Sequence, residues 1–126
     1  MISETIVDFN KMFIDLAIQV SIICPTSIIA SNISILKQIV RNNPKKIVDI
    51  FVQYILKYKQ QIDSGDENFF MSKTYDNEID DDMINKVFEF KTLWKQLNDD
   101  NKGVVIQYMQ CLCQLSLNYV NDMVRN

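Results

Sequence analysis

Apolar residues along this chain recur three and four positions apart, the spacing of one face of a helix. In the first such stretch Phe9, Phe13, Leu16 and Val20 share a face that Ile6, Val7, Ile14 and Ile18 widen. Asp8, Lys11, Asp15 and Gln19 line the other side. Ser3 stands where an N-cap belongs, with Glu4 in the first turn, and Pro25 ends the run because the residue before proline avoids the α region. The pattern predicts a helix over 4–23. Thr26 or Ser27 caps a second helix to about Arg41, its apolar face made of Ile28, Ile29, Ile33, Leu36, Ile39 and Val40. The Ser31-Asn32 pair weakens its first half. Asn43 as N-cap with Pro44 at the first helical position opens a third helix, to about Asp63. Ile47, Ile50, Phe51, Tyr54, Ile55, Tyr58 and Ile62 give it a broad aromatic face, and Gly65 suits its C-terminal cap.

Residues 64–78, SGDENFFMSKTYDNE, break the rhythm. Phe69, Phe70 and Tyr75 are expected to fold back as a plug over the core, and one helical turn fits Asp66–Met71. Asp80, Asp81 and Asp82 open a fourth helix, where carboxylates suit the positive helix end. It runs through Ile84, Val87, Phe88, Phe90, Leu93 and Trp94 to about Leu97. Asn98 or Asp99 caps the fifth and longest, whose stripe is Val104, Val105, Tyr108, Leu112, Leu115, Tyr119 and Met123. The expected fold is all-α: an irregular bundle of about five helices in one domain spanning 1–126.

Composition agrees. Two glycines and two prolines cannot punctuate a many-stranded β protein, and 48% apolar residues exclude wholesale disorder. Ile and Asn are abundant (18 and 12), Ala occurs twice, and Lys outnumbers Arg 11 to 2, the bias of an AT-rich genome. Net charge is −3 but uneven: residues 1–62 carry seven Lys/Arg against four Asp/Glu, residues 63–126 six against twelve. Neither half is basic enough for a nucleic-acid footprint. Met12–Ala30, the most apolar window, contains Asp15, Gln19 and Pro25, so no membrane span is expected. Three cysteines, no histidine and no signal-peptide pattern favour a reducing compartment and a protein that is not secreted.

Candidate chemistry is sparse. Cys111 and Cys113 lie about 200° apart on a helix and cannot share one metal, and without histidine Cys24 does not complete a four-ligand zinc site. The acidic runs Asp76–Asp82 and Asp63–Asn68 lack the ligand spacing of a calcium loop. No histidine is present to serve as base, no GxSxG elbow occurs, and isolated glycines make no phosphate cradle. No catalytic residue, cofactor or metal is expected. Lys45, Lys46, Lys57 and Lys59 with Tyr54 and Tyr58 form a basic, aromatic helix that suggests nucleic acid, an alternative kept beside a metal-dependent enzyme using the acidic cluster.

Three segments together, NNPKKIVDIF (42–51), IDSGDENFFMSKTY (62–75) and LWKQLNDDNKGVVIQYMQCLCQLSLNY (93–119), resemble small helical proteins of nucleocytoplasmic large DNA viruses of the mimivirus and phycodnavirus kind. The matching positions are Asn43, Pro44, Asp66, Glu67, Phe69, Phe70, Tyr75, Lys102, Tyr108, Leu112 and Leu115. The resemblance implies a viral protein of the host cytoplasm, the viral factory or the virion, and supplies no catalytic residue. The leading expectation is a non-enzymatic interaction protein with a protein partner, viral or host, or a second copy of itself as a homodimer. Its expected working surface is the acidic-aromatic segment: Asp66, Glu67, Phe69, Phe70, Tyr75, Asp80, Asp81 and Asp82.

Overall fold

The computed structural model describes residues 3–73, 79 and 81–125. Among these there is no strand; the fold is all-α. Two long helices form its spine, α1 (Glu4–Ile23) and, last in the chain, α9 (Asp99–Arg125). They pack against each other along the bundle, and Thr5 Oγ1 at the start of α1 donates to Asp122 Oδ2 near the end of α9 (2.8 Å), so they run antiparallel. Ser3 caps α1 by accepting from the Ile6 amide (3.2 Å), and Phe9, Phe13, Leu16 and Val20 turn inward as their spacing predicts.

The second predicted helix is two: α2 (Ile28–Ser31), capped by Ser27, and α3 (Ile33–Asn42). The break falls at the Ser31-Asn32 pair. Ser31 Oγ donates to the Ser27 carbonyl and Asn32 Nδ2 to the Ile28 carbonyl, so both side chains compete for the backbone acceptors of that turn.

The third predicted helix begins later than Asn43-Pro44 suggests. Residues 44–45 form a turn closed by the Lys46 amide on the Asn43 carbonyl (3.1 Å), and α4 is Lys46–Ile50. The path then widens into a π turn, Phe51–Ile55, with the Leu56 amide bonded to the Phe51 carbonyl. It tightens into a 3-10 turn, Leu56–Tyr58, before α5 (Lys59–Asp63). One wide turn followed by one tight turn leaves the phase nearly unchanged, so Phe51, Ile55 and Ile62 still share a buried face. Gly65 (φ 68°) ends α5: its amide bonds the Ile62 carbonyl and the Asp66 amide the Gln61 carbonyl, a Schellman closure.

The acidic-aromatic segment contributes α6 (Glu67–Ser72), capped by Asp66. The fourth predicted helix is α7 (Asp82–Phe88), capped by Asp81, and then α8 (Lys91–Trp94). The break at Glu89-Phe90 has a physical reason. At about 100° per residue, a continuous helix carrying Ile84, Val87 and Phe88 inward would also carry Lys91 and Lys95 inward. The interruption re-phases the chain, burying Phe90, Leu93, Trp94 and Leu97 and turning Lys91 and Lys95 outward.

The core holds two linked sets of aromatic rings. Phe9, Phe51, Phe88 and Phe13 meet in sequence at centroid distances of 5.3, 5.7 and 5.9 Å under the spine. Tyr58, Phe69, Phe70 and Trp94 form the second set, in which Phe70 and Trp94 stack at 4.6 Å and 9°. Long-range hydrogen bonds pin the outer turns to the spine. Gln110 Nε2 donates to the last carbonyls of α5, Ile62 (3.2 Å) and Asp63 (3.1 Å). Tyr119 donates to Asp49 (2.9 Å), and Asn10 Nδ2 to the Pro44 carbonyl (2.9 Å).

A candidate interaction face around Trp94

Trp94 is buried, and it ties three elements together. Its ring lies flat on Phe70 of α6, and its indole N–H donates to Glu67 Oε1 (3.3 Å). From α9, Lys102 Nζ stands 3.6 Å from the same Glu67 oxygen and 5.9 Å from the centre of the indole ring. Glu67 thus accepts one hydrogen bond from 27 residues away in sequence and faces an ammonium group from 35 residues away, while much of its side chain remains in solvent. Such an exposed pair contributes at most about 1 kcal/mol, so Glu67 orients the indole more than it stabilises the fold.

Beside this junction lies a hollow of ~160 Å³, lined by Met71, Trp94 and Leu97 and rimmed by Lys91, Lys95 and Lys102. Met71 is 52% exposed, which leaves an apolar side chain open to solvent beside the hollow. Lys91 and Lys95 are exposed and one helical turn apart, which places them on the same side. The acidic half of the chain therefore gathers three of its six basic residues around one apolar patch.

The acidic-aromatic segment is divided between this face and the interior. Asp66 and Asp81 spend a carboxylate oxygen each on capping, accepting from the amides of Asn68 (2.9 Å) and Ile84 (3.1 Å). Phe69 and Phe70 lie in the core, so in this arrangement neither ring meets a partner directly; Phe70 instead seats the indole. Glu67 and Met71 remain outside. Tyr75 and Asp80 lie outside the described residues, as does the side chain of Asp82. Lys91 and Lys95 were not singled out by the sequence, and Lys102 only as one position of the resemblance. The signal was present as the one-residue phase shift at Glu89-Phe90, which leaves two lysines a turn apart on the outside.

Of the lysines on the third predicted helix, Lys46 lies 3.8 Å from Asp81, Lys59 pairs with Asp63, and Lys57 lies over Tyr58 (5.5 Å). Two of the four thus face a carboxylate of the same chain, while Lys45 is exposed. Among the described residues no group of three or more Cys, Asp or Glu side chains is arranged to hold a metal ion. Cys111 is exposed and Cys113 buried, on opposite sides of α9, and burial pushes the Cys113 thiol up to about 12, with Asp63 adding to the shift and Lys59 opposing it. No described helix is long and apolar enough to cross a membrane. Comparison with protein-family models, curated proteins and solved structures finds nothing similar to this chain.

Proposed function

We propose that this protein is a non-enzymatic interaction module that holds a protein partner on the face where α6, α8 and α9 meet. The observation that carries the proposal is the break at Glu89-Phe90, which presents Lys91 and Lys95 around exposed Met71 instead of burying them. Exposed apolar surface rimmed by charge is the composition of a recognition patch. The setting we propose is assembly, the virion or a host factor of a large DNA virus, resting on the segments 42–51, 62–75 and 93–119.

The test compares affinity purification of the tagged protein with that of the exposed-site variant Lys91→Glu/Lys95→Glu from the same infected cells, read by mass spectrometry. Proteins retained by the wild type and lost from the variant support the proposal. An identical set from both overturns it. If the retained protein is a second copy of the chain, differently tagged copies co-purify.

A further inference from the structure

The face around Trp94 also indicates what sort of partner segment it takes. We infer that the hollow between Met71, Trp94 and Leu97 receives one bulky apolar side chain of an acidic peptide, whose carboxylates meet Lys91, Lys95 and Lys102; this rests on the interaction reading above.

Size, charge and ring access each bear on this. A hollow of ~160 Å³ is smaller than the several hundred Å³ of a small-molecule site and suits a single side chain. Its floor is apolar, and Met71 adds an unbranched, polarizable side chain that adapts to different shapes. Three ammonium groups rim it. Lys102 is partly compensated by Glu67, whereas Lys91 and Lys95 are exposed and form no ion pair with a carboxylate among the described residues. Complementarity therefore calls for negative charge on the incoming chain.

A single-stranded nucleic acid would also supply negative charge, but it gains its affinity by stacking bases on accessible aromatic faces. Trp94 offers none. The ring is 2% exposed, Phe70 covers one face, and Lys102 lies over the ring. Nor is there an arginine at the rim to fork onto a phosphate. A peptide carboxylate needs only point charges, which lysines supply.

Trp94 is the only tryptophan, so its fluorescence reports on this site alone. The probes are an eight-residue Asp/Glu peptide with one central Phe, the same peptide with Ser in place of Phe, and a single-stranded RNA of equal charge. The Phe peptide is expected to change Trp94 emission saturably, and raising salt from 50 to 300 mM should weaken it by about five-fold or more. The Ser peptide, and the Phe peptide on Lys91→Glu/Lys95→Glu, should each bind at least ~5-fold more weakly. A melting curve of the variant matching wild type shows that the loss is local. No saturable change with the Phe peptide, equal binding by the variant, or tighter binding of the RNA overturns the inference. If the peptide fails while the variant still loses its partners from cells, only the acidic-peptide inference falls. If the variant keeps its partners, the interaction reading falls with it.

Discussion

Replacing Phe70 by Ala is the perturbation that most sharply separates a packed segment from a surface loop. Phe70 is 1% exposed, stacks on Trp94 at 4.6 Å, and meets Phe69 and Phe90 at 5.2 and 6.0 Å. Its removal forfeits the transfer free energy of a buried aromatic side chain, about 1.5–3 kcal/mol. It also leaves a cavity that the rings around it cannot fill, because Trp94 is fixed by Glu67 and Phe69 by Tyr58. Together these bring the expected loss to ~3–5 kcal/mol. A domain of this kind has a total stability of roughly 5–15 kcal/mol, so the variant should fold but with a much lower urea midpoint. Met71→Ala, at the next position but 52% exposed, should cost less than ~0.5 kcal/mol. The assay is urea unfolding followed by both circular dichroism and Trp94 fluorescence. A Phe70→Ala loss under ~1 kcal/mol, or equal losses for the two variants, would refute the placement of α6 against α8.

Other consequences are open to equally simple measurement. Gly103 lies in the second turn of α9 with open space where a Cβ would go, so Gly103→Ala should raise stability by up to ~1 kcal/mol and the melting temperature by about 3 °C; a lower melting temperature contradicts this. In native protein one thiol, Cys111, should react promptly with a disulfide reagent, while Cys24 and Cys113 react only on unfolding; two fast thiols would show that α9 is turned differently. Cys113 and Tyr119 both have their pKa raised to about 12, Cys113 by burial above all and Tyr119 by burial and then by its bond to Asp49. The unfolded chain ionises these groups from pH ~9–10 upward while the folded one keeps its protons, so stability should be intact below pH ~9 and fall between pH 9 and 12. Each group contributes a slope of at most about 1.4 kcal/mol per pH unit, Tyr119 less because its hydroxyl is near solvent, and Cys113→Ala should flatten part of the decline.

Much of the fold is written locally. Ser3, Ser27 and Asn98 are recognisable caps because a short polar side chain before an apolar run has an amide to satisfy, and all three do so here; Asp66 and Asp81, expected only at helix openings, prove to be caps as well. Gly65 is legible for the same reason: the closing turn needs a positive φ. The breaks at Asn32 and at Glu89-Phe90 were less so. Asn32 has a strong competing hydrogen bond, whose effect depends on the tertiary gain from a straight helix. Phe90, Leu93 and Trp94 keep helical spacing among themselves, which hides the fact that they are out of step with Ile84, Val87 and Phe88. The π turn at Phe51 left no trace at all, since the 3-10 turn after it restores the phase. The candidate face depends on these non-local facts. Lys102 reaches Glu67 across 35 positions, and Lys91 and Lys95 are outside only because the chain was re-phased.

The most direct test of the face is the indole N–H of Trp94, a single resonance in a nitrogen-15 correlation spectrum. Adding the acidic Phe-bearing peptide should move that resonance together with the amides of Met71, Lys91, Lys95 and Lys102. Shifts confined to α1 and α3, with the indole signal unmoved, would contradict the account.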